Sequence, residues 1–239
     1  MYYNEMFVAE NADEAFEHWW SLLTFDGAKR IRDSRDGLVV DEIINAVTVI
    51  KDPTRCIMKN EIRKMPMRYA VGELLWYLSG NNKLSAIQKF TKAWDRMSDD
   101  GDTVNSNYGY CLMHKFGFNQ IEHALIQLRD NPSSRQVVLH IKEARNLVDN
   151  PTKDLNCTVC LQLFIRDGKL YMTTYMRSND LWMGFPYDVF QFTCLQTLMA
   201  MELDVELGTY THIAGSLHLY ERDYAKGEAN LGNDKIAGA

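Results

Sequence analysis

Apolar residues recur at helical spacing in several parts of the chain. ADEAFEHWWSLL near the start and residues 61–78 both have the spacing of an amphipathic helix. KLSAIQKFTKAW predicts a further helix after the break at residues 80–82. NQIEHALIQLRDNP predicts a helix that Asn119 caps and that stops at Pro132. VFQFTCLQTLMAMEL is apolar around most of its circumference, which indicates a buried helix.

Segments rich in β-branched and aromatic residues predict the strands. VVDEIINAVTVI, RQVVLHI and TYTHIAGSLHLY are of this kind, and TVCLQLFI and KLYMTTYM are joined by a tight turn at residues 166–168. Long helices combined with mostly hairpin-linked strands are typical of an α+β protein. Because no linker, low-complexity block or fixed-period repeat divides the chain, we expect a single domain over residues 1–239.

Composition and charge narrow the classes of function. A net charge of −6 argues against sequence-independent nucleic-acid binding, so an anionic ligand would need a local cluster of arginines. No apolar run is long enough to span a bilayer, and the N-terminal residues lack the basic start and apolar stretch of a signal peptide. The five cysteines are then expected to be reduced thiols of a cytoplasmic protein.

Two cysteines, Cys157 and Cys160, form the motif CTVC, whose spacing is also found in redox and zinc sites. The segment is predicted to be extended, however, and residues three apart on a strand point to opposite faces. No second cysteine pair completes a zinc site. Two interpretations remain: both thiols are small buried hydrophobes, or one is a nucleophile whose thiolate a nearby cation stabilises. Arg177, one hairpin away, would be that cation.

Six segments occur in an order that is also found in a known enzyme family. They are GELLWYLSG, AWD, NSNYGY, NPSSRQ, NCTVCLQLFIRDGKLYMTTYMRSNDLWMGFPYDVF and GSLHLY. From about residue 35 to residue 220 the chain thereby resembles the thymidylate synthase family. The resemblance implies a mixed β-sheet packed with helices, and a homodimer formed through the sheet.

The resemblance also implies roles for individual residues. Cys157 would add to C6 of a pyrimidine nucleotide, Glu73 would act as acid or base through water, and Tyr108 would supply a catalytic hydrogen bond. Asp188 would read the pyrimidine edge and take part in catalysis. Folate would contact Trp94, Asp180 and Gly184. The implied nucleotide ligands are Arg35, Arg135, Arg177, Ser178, Asn179, Asp188, His218 and Tyr220.

Structural explanations stand beside several of these roles. Glu73 could be a solvated glutamate at a helix edge, and Tyr108 or Trp94 could serve packing alone. His218 and Tyr220 alternate on one strand face, which suits a shared sugar hydroxyl but also a buried pair with no ligand. Arg32 competes with Arg35 for the phosphate role, because it lies three residues away in the same segment. His140 and His212 lack a motif partner and are predicted to be structural.

Several positions depart from thymidylate synthases. Asp188 stands where they carry asparagine, whose amide satisfies both O4 and N3–H of uracil. An ionised Asp188 can accept from the amino group of cytosine but would repel uracil O4. Bacteriophage-type deoxycytidylate hydroxymethylases carry aspartate here, and Thr158 and Ser216 also differ from the usual histidine and acidic residue. Gln136 replaces a second arginine, so the phosphate site has one ligand fewer or uses another basic residue.

The implied reaction transfers one carbon from 5,10-methylenetetrahydrofolate to C5 of dCMP through a Cys157–C6 adduct, without a metal. Water would complete the reaction to 5-hydroxymethyl-dCMP and tetrahydrofolate, whereas hydride from the folate would give a methyl group. Alternatives are a dCMP methylase, a thymidylate synthase acting on dUMP, a CMP hydroxymethylase, and an inactive relative that binds RNA or protein. The implied partner is a second copy that lends Arg135 across the interface, with no membrane or nucleic acid required. A phage-encoded enzyme would act in the host cytoplasm.

Overall fold

The computed structural model describes residues 4–25, 28–33, 37–148, 152 and 154–233. The strands of this part of the chain are β1 (Met6–Ala9), β2 (Lys29–Arg32), β3 (Val39–Ile50), β4 (Val138–His140), β5 (Thr158–Arg166), β6 (Lys169–Met176), β7 (Asn179–Asp180) and β8 (Glu206–Tyr220). The helices are α1 (Ala12–Thr24), α2 (Met67–Leu78), α3 (Leu84–Ile87), α4 (Tyr108–Tyr110), α5 (Gln120–Asp130), α6 (Phe185–Glu202) and α7 (Glu221–Asn233).

One mixed sheet contains all the described strands, in the order β1-β3-β8-β6-β5-β4, with β2 beside β3 and β7 beside β8. The long strands β3 and β8 pair antiparallel at its centre, whereas β6 and β7 run parallel to β8. Helix α6 packs against β6 and β8 and buries most of its side chains, as its nearly uniform apolar sequence predicts. The expected α+β fold with a mixed sheet is therefore confirmed.

The hairpin of β5 and β6 positions two of the predicted site residues. Asp167 and Gly168 at its tip have φ values of 49° and 70°, the left-handed backbone that a two-residue hairpin turn requires. The resulting register places Thr158 opposite Met176. Just beyond this pair, the backbone N–H of Arg177 donates to the carbonyl of Cys157 at 2.9 Å. The predicted hairpin is confirmed, and it makes Arg177 a neighbour of Cys157.

Helix α5 begins as its sequence predicts. The side chain of Asn119 accepts hydrogen bonds from the backbone N–H groups of Ile121 and Glu122, which satisfies donors that the first helical turn leaves open. The helix ends at Asp130, two residues before Pro132. Helix α1 is capped in the same way by Asn11, which accepts from the N–H of Glu14.

Two local predictions are wrong in part. Helix α2 starts at Met67 rather than at residue 61, because the ring of Pro66 disfavours helical backbone in the residue before it. The segment KLSAIQKFTKAW forms the short helix α3 and the start of a 3-10 helix (Ala93–Arg96) instead of one continuous helix, and the Thr91 hydroxyl accepts from the N–H of Ala93 in the turn between them. The charged segment ahead of β3 contains β2, which Arg30 ties to Asp41 of β3.

Buried apolar side chains of the described residues form one contiguous cluster between the helices and the sheet. Our proposal that residues 1–239 are one domain is based on this shared core. In the part of the chain that the structure describes, no helix is both long enough and apolar enough to cross a membrane.

Candidate active site

A cleft with about 600 Å³ of empty space lies between α2, α4, the end of β6, β7 and the start of α6. It brings together most of the residues that the sequence predicts for catalysis and binding, from segments far apart in the chain. Those that line it are Glu73, Trp94, Tyr108, Cys157, Ser178, Asn179, Asp180, Gly184 and Asp188.

A second, more polar cleft with about 790 Å³ of empty space adjoins the first. Ser178 lines both clefts, and Arg177 and His218 line the second. Arg32 lines it as well, whereas Arg35 lies outside the described residues. The guanidinium groups of Arg32 and Arg177 line this cleft together with the carboxyls of Asp33 and Glu42, so an anion would have to bind at the arginines themselves and not to an overall positive lining.

The thiol of Cys157 has a cation beside it. Nη2 of Arg177 lies 3.8 Å from the sulfur, and the same guanidinium donates to the backbone carbonyls of Leu155 and Asn156. These bonds hold the guanidinium in place, and a fixed cation next to a thiol favours the reactive thiolate form. Cys160 lies further along β5 and is not part of the cleft lining, and burial raises the pKa of its thiol. The described residues contain no cluster of three or more His, Cys, Asp or Glu side chains suited to a metal ion.

Glu73 is buried in the cleft wall, with only 3% of its surface exposed, so it is not a solvated glutamate at a helix edge. The hydroxyls of Tyr69 and Tyr77, each four residues away on α2, donate to Oε1 at 2.6 and 3.4 Å. Gln191 of α6 donates to Oε2 at 3.2 Å. These hydrogen bonds lower the pKa of Glu73, but burial has the larger effect and raises that pKa to about 7. A carboxyl with this pKa can both take and release a proton at neutral pH.

The partners of Glu73 were not predicted from the sequence. Tyr69, Glu73 and Tyr77 follow one another at four-residue spacing, which places them on one face of a helix, so this part of the arrangement had a detectable signal. Gln191 had none, because it lies 118 positions from Glu73.

Glu73→Gln is expected to flatten the pH dependence of folding stability. The carboxyl has a pKa of about 7 in the folded chain against an ordinary 4.5, so its stabilising proton is fully present below pH 4.5 and is lost as pH rises through 7. The ionisation of Glu73 alone should therefore lower the free energy of unfolding of the unchanged protein by about 3 kcal/mol over this range, and the variant should lack this contribution. Denaturant titrations at both ends of the range measure the difference. Glu122→Gln, which removes an exposed carboxyl from α5, should have the same pH dependence of the free energy of unfolding as the unchanged protein.

Asp188 lies in the first turn of α6 and is 8% exposed. Burial raises its pKa to about 8, with a further contribution from the charge of Glu73, while hydrogen bonds from Asn179 and Tyr108 oppose the rise. The bond from Asn179 Nδ2 to Asp188 Oδ2 is 2.8 Å long. Two buried carboxyls in one cleft resist simultaneous ionisation, so this site retains a proton near neutral pH.

The three residues predicted to contact folate lie along one side of the cleft. The Trp94 ring is half-buried, and its Nε1–H donates to the hydroxyl of Tyr69 at 3.2 Å. Oδ1 of Asp180 accepts from the backbone N–H groups of Trp182 and Met183. At Gly184 an added Cβ would come within 2.8 Å of Asn179 Nδ2 and 3.1 Å of Asp188 Oδ2, so the close approach of these groups requires glycine.

Two predicted nucleotide ligands lie outside the linings of both clefts. Arg135 is exposed, as is its neighbour Gln136. Tyr220 packs its ring 5.4 Å from that of His218, but its hydroxyl donates to Asp33 at 2.8 Å. His218 therefore faces the second cleft while the Tyr220 hydroxyl is engaged beside it.

Comparison with known proteins gives one consistent result. Residues 28–237 match the sequence model of the family described as thymidylate synthase. The deoxyuridylate hydroxymethyltransferase of Bacillus phage SP01 is 34% identical over 200 residues, which are 79% of this chain and 52% of that protein. The deoxyuridylate hydroxymethyltransferase of Pseudomonas phage M6 is 30% identical over 213 residues, 88% of this chain and 60% of that protein.

Thymidylate synthases are matched as well. That of Bacillus phage phi3T is 32% identical over 169 residues, which are 67% of this chain and 60% of that protein. The solved structure of thermostable thymidylate synthase A from Bacillus subtilis superposes with a TM-score of 0.74 at 24% identity, covering 91% of this chain and 83% of that one. This likeness shows the fold. The chain spans 52% to 60% of the length of these curated relatives.

Proposed function

The chain belongs to the thymidylate synthase family, and on that premise we propose that it transfers a one-carbon unit from 5,10-methylenetetrahydrofolate to C5 of dCMP. The proposed products are 5-hydroxymethyl-dCMP and tetrahydrofolate. The observation that carries the proposal is the placement of Cys157, with Arg177 3.8 Å from its sulfur, in the same cleft as Glu73 and Asp188.

The proposed chemistry begins at Cys157. Its thiolate forms a bond to C6 of the pyrimidine, and the electron pair of the C5–C6 double bond moves to C5. The folate supplies a carbon at the oxidation level of formaldehyde, which becomes bonded to C5. C5 then loses its proton while the bond between this carbon and the folate nitrogen breaks, so tetrahydrofolate departs and an exocyclic methylene remains on C5. Addition of water to the exocyclic methylene and departure of the thiolate restore the C5–C6 double bond. One nucleotide, one donor and one water are thereby consumed for each hydroxymethyl nucleotide and tetrahydrofolate formed.

Glu73 and Tyr108 are the proposed proton-handling groups of the cleft. With a pKa of about 7, Glu73 can accept a proton from water that attacks the methylene and return it to the departing group. Tyr108 contributes a hydrogen bond to Asp188, and its ring packs between Tyr77 and Phe192, which keeps its hydroxyl inside the cleft. Both residues act on groups that the surrounding aromatic side chains shield from bulk water.

The wall near Trp94 fits a flat heterocycle such as the folate pterin. Tyr69, Trp94 and Tyr187 supply aromatic surface there, and the carboxyl of Asp180 faces the same cleft. Aromatic rings offer apolar contact and stacking, and a carboxylate accepts hydrogen bonds from ring N–H groups. We therefore assign Trp94, Asp180 and Gly184 to the folate.

The choice of base is assigned to Asp188. An ionised carboxylate accepts from the N4 amino group of cytosine and repels O4 of uracil, which favours dCMP. A protonated carboxyl offers one donor and one acceptor and can match either base, and burial raises the pKa of Asp188 to about 8. Two relatives are named as deoxyuridylate hydroxymethyltransferases. Hydroxymethylation of dUMP is therefore the second candidate.

Product analysis tests the proposed function. The protein is incubated with the folate donor and with dCMP, dUMP or CMP, and the nucleotide product is identified by its mass. A hydroxymethyl product with release of tetrahydrofolate is expected, and dCMP should be the preferred substrate. A methyl product with release of dihydrofolate would identify a methyltransferase instead. No product from any of the three would support a binding or interaction role.

We propose that the sugar and phosphate of the nucleotide bind in the second cleft. Arg177, Ser178 and His218 line it, and Tyr220 packs on His218. Arg32 lines it too and takes the phosphate role there with or in place of Arg35. Because Arg135 is exposed and lies outside the lining of both clefts, we propose that it serves the phosphate of a second copy in a homodimer formed through the sheet.

Mixing two inactive variants tests the assignment of Arg135. Arg135→Ala and Cys157→Ala homodimers should each be nearly inactive, the first through loss of a phosphate ligand from the partner's site. After subunit exchange, a heterodimer has one site with both residues intact, so part of the activity should return. Recovery is measured as turnover, and exchange is verified with differently tagged chains. Exchange without recovery would place Arg135 in its own subunit's site.

A further inference from the structure

Behind the cleft, three buried side chains connect Asp188 to the central strand β8. Asn179 donates through Nδ2 to Asp188 Oδ2 at 2.8 Å, and its Oδ1 lies 3.0 Å from His212 Nε2. The other ring nitrogen, Nδ1, lies 2.9 Å from the hydroxyl of Tyr210. Exposed fractions are 2% for Asn179, 1% for His212 and 0% for Tyr210, so this hydrogen-bond chain is closed off from bulk water.

The donor and acceptor properties of these side chains give the hydrogen-bond chain a direction. Burial lowers the pKa of His212 to about 3, so its ring is neutral and has one N–H and one lone pair. Burial raises the pKa of Tyr210 far above its usual value, so its phenol keeps the proton. Because the amide oxygen of Asn179 can only accept, His212 Nε2–H donates to it and Nδ1 accepts from Tyr210. Every bond in the chain therefore points toward Asp188.

We propose that Tyr210, His212 and Asn179 are positioning residues that select the base: they hold Oδ2 of Asp188 as an acceptor and leave Oδ1 to exchange hydrogen bonds with the pyrimidine. The selection of cytosine rests on the proposed function, whereas the effect on Asp188 does not. The chain stabilises the carboxylate, because an amide donor is directed at it, and the carboxylate is the form that rejects uracil O4. His212 thus has a partner that the sequence did not indicate.

The packing around the chain supports a positioning role. Gly184 leaves no room for a Cβ beside the Asn179–Asp188 bond, and the Phe185 ring packs edge-on against His212 at 5.3 Å. Reversing the Asn179 amide would direct its oxygen at Asp188 and its N–H groups at His212 Nε2–H. That arrangement requires a proton on Asp188 and the other His212 tautomer, so the orientation of the amide is coupled to the charge of Asp188.

Other ionisable groups also act on Asp188 and must be held constant in a test. These groups lie on the elements that pack around Asp188. They are Glu73 and Tyr77 of α2, Tyr108 of α4, Asp180 of β7 and Tyr210 of β8. Substitution of His212 leaves all of these side chains in place and removes only the acceptor of the Tyr210 hydroxyl, an effect that Tyr210→Phe measures separately. It is therefore the sharpest place to interrupt the chain.

Three substitutions separate donation from packing. His212→Phe keeps a ring but removes the donor to Asn179. His212→Gln keeps an N–H that can donate to Asn179. Tyr210→Phe removes only the hydroxyl that sets the His212 tautomer. Thr193→Val is the matched control, because it also deletes one buried hydroxyl bond, from Thr193 to the carbonyl of Val189, on the helix that carries Asp188.

Competitive turnover of dCMP and dUMP gives the first readout. In His212→Phe the Asn179 amide loses the donor that orients it, so its hydrogen bond to the Asp188 carboxylate should weaken. The ratio of kcat/KM for dCMP over dUMP should then fall roughly tenfold. His212→Gln should restore most of the ratio, Tyr210→Phe should lower it by roughly threefold, and Thr193→Val should leave it unchanged. Equal loss in His212→Phe and His212→Gln would overturn the proposal, because ring packing would then be the cause.

The carboxyl NMR signal of Asp188 in the nucleotide-free protein gives a second readout that needs no turnover. In His212→Phe the Asn179 amide is no longer held toward Asp188, so the titration midpoint of the Asp188 carboxyl should move upward by about one pH unit. In Thr193→Val this midpoint should hardly move. An unchanged midpoint in His212→Phe would overturn the proposal. If the unchanged protein turns over neither nucleotide, the proposed function fails. The titration alone then still decides whether the hydrogen-bond chain from Tyr210 acts on Asp188.

Discussion

Cys157→Ala is expected to abolish turnover while nucleotide binding stays within about tenfold of the unchanged protein. The substitution removes the sulfur that we propose forms the bond to C6, and no other thiol lines the cleft in the described residues. Arg177, Ser178 and Asp188 remain in place to bind the nucleotide. Turnover is measured with the folate donor, and binding by calorimetry with the nucleotide alone.

Cys160→Ala is the matched control for this experiment. Its thiol is partly buried on β5, outside the cleft lining, so the substitution should cost packing energy of about 1–2 kcal/mol and leave kcat nearly unchanged. The free energy of unfolding and the turnover of both variants are compared. Substantial turnover by Cys157→Ala, or loss of turnover confined to Cys160→Ala, would show that the nucleophile is assigned to the wrong cysteine.

Asp188→Asn is expected to shift the preference between dCMP and dUMP by about 2–4 kcal/mol toward the uracil nucleotide. The reason lies in the donor that faces this position. Because Asn179 Nδ2 is directed at Oδ2 of residue 188, an introduced amide would turn its oxygen to Asn179 and its N–H groups toward the base. That arrangement offers a donor to uracil O4, where the carboxylate repels it.

Competitive turnover of dCMP and dUMP by both proteins measures this shift. Asp154→Asn is the matched control, since Asp154 is a buried carboxyl that accepts from the N–H of Ser106 and lies outside the cleft lining. It should leave the preference unchanged even if it lowers stability. A preference for dUMP in the unchanged protein would contradict the role of Asp188 and favour the second candidate function.

In the proposed complex with dCMP, binding of the base and proton transfer are coupled. N3 of neutral cytosine needs a donor, so either Asp188 or N3 must carry a proton in the productive complex, and the two share it. The raised pKa of Asp188, about 8, shows that the empty cleft already favours a proton there. A proton moved to N3 would draw electron density from the ring and ease the attack of Cys157 at C6. Selection of cytosine and activation of its ring would then depend on the same carboxyl.

Several features of this protein were determined by the sequence itself. The β5–β6 hairpin follows from Asp167 and Gly168, which accept left-handed backbone, and the start of α5 follows from the Asn119 side chain. The order of six short segments identified the family, which the match over residues 28–237 confirms. The hairpin and the helix start each involve residues close together in the chain, where local backbone preferences and side-chain caps decide the conformation, and each of the six segments is itself short.

Only the tertiary structure decided the electrostatics and the partners within the site. The sequence placed Glu73 on one predicted helix and Asp188 just before another, but it did not reveal the burial of the two carboxyls, which raises the pKa of Glu73 to about 7 and that of Asp188 to about 8. His212 was predicted to be structural, and its Nε2 lies 3.0 Å from Oδ1 of Asn179, 33 positions away, whose Nδ2 donates to Asp188. The physical reason is that desolvation and hydrogen-bond direction depend on everything packed around a group, and that packing is set by contacts between distant segments.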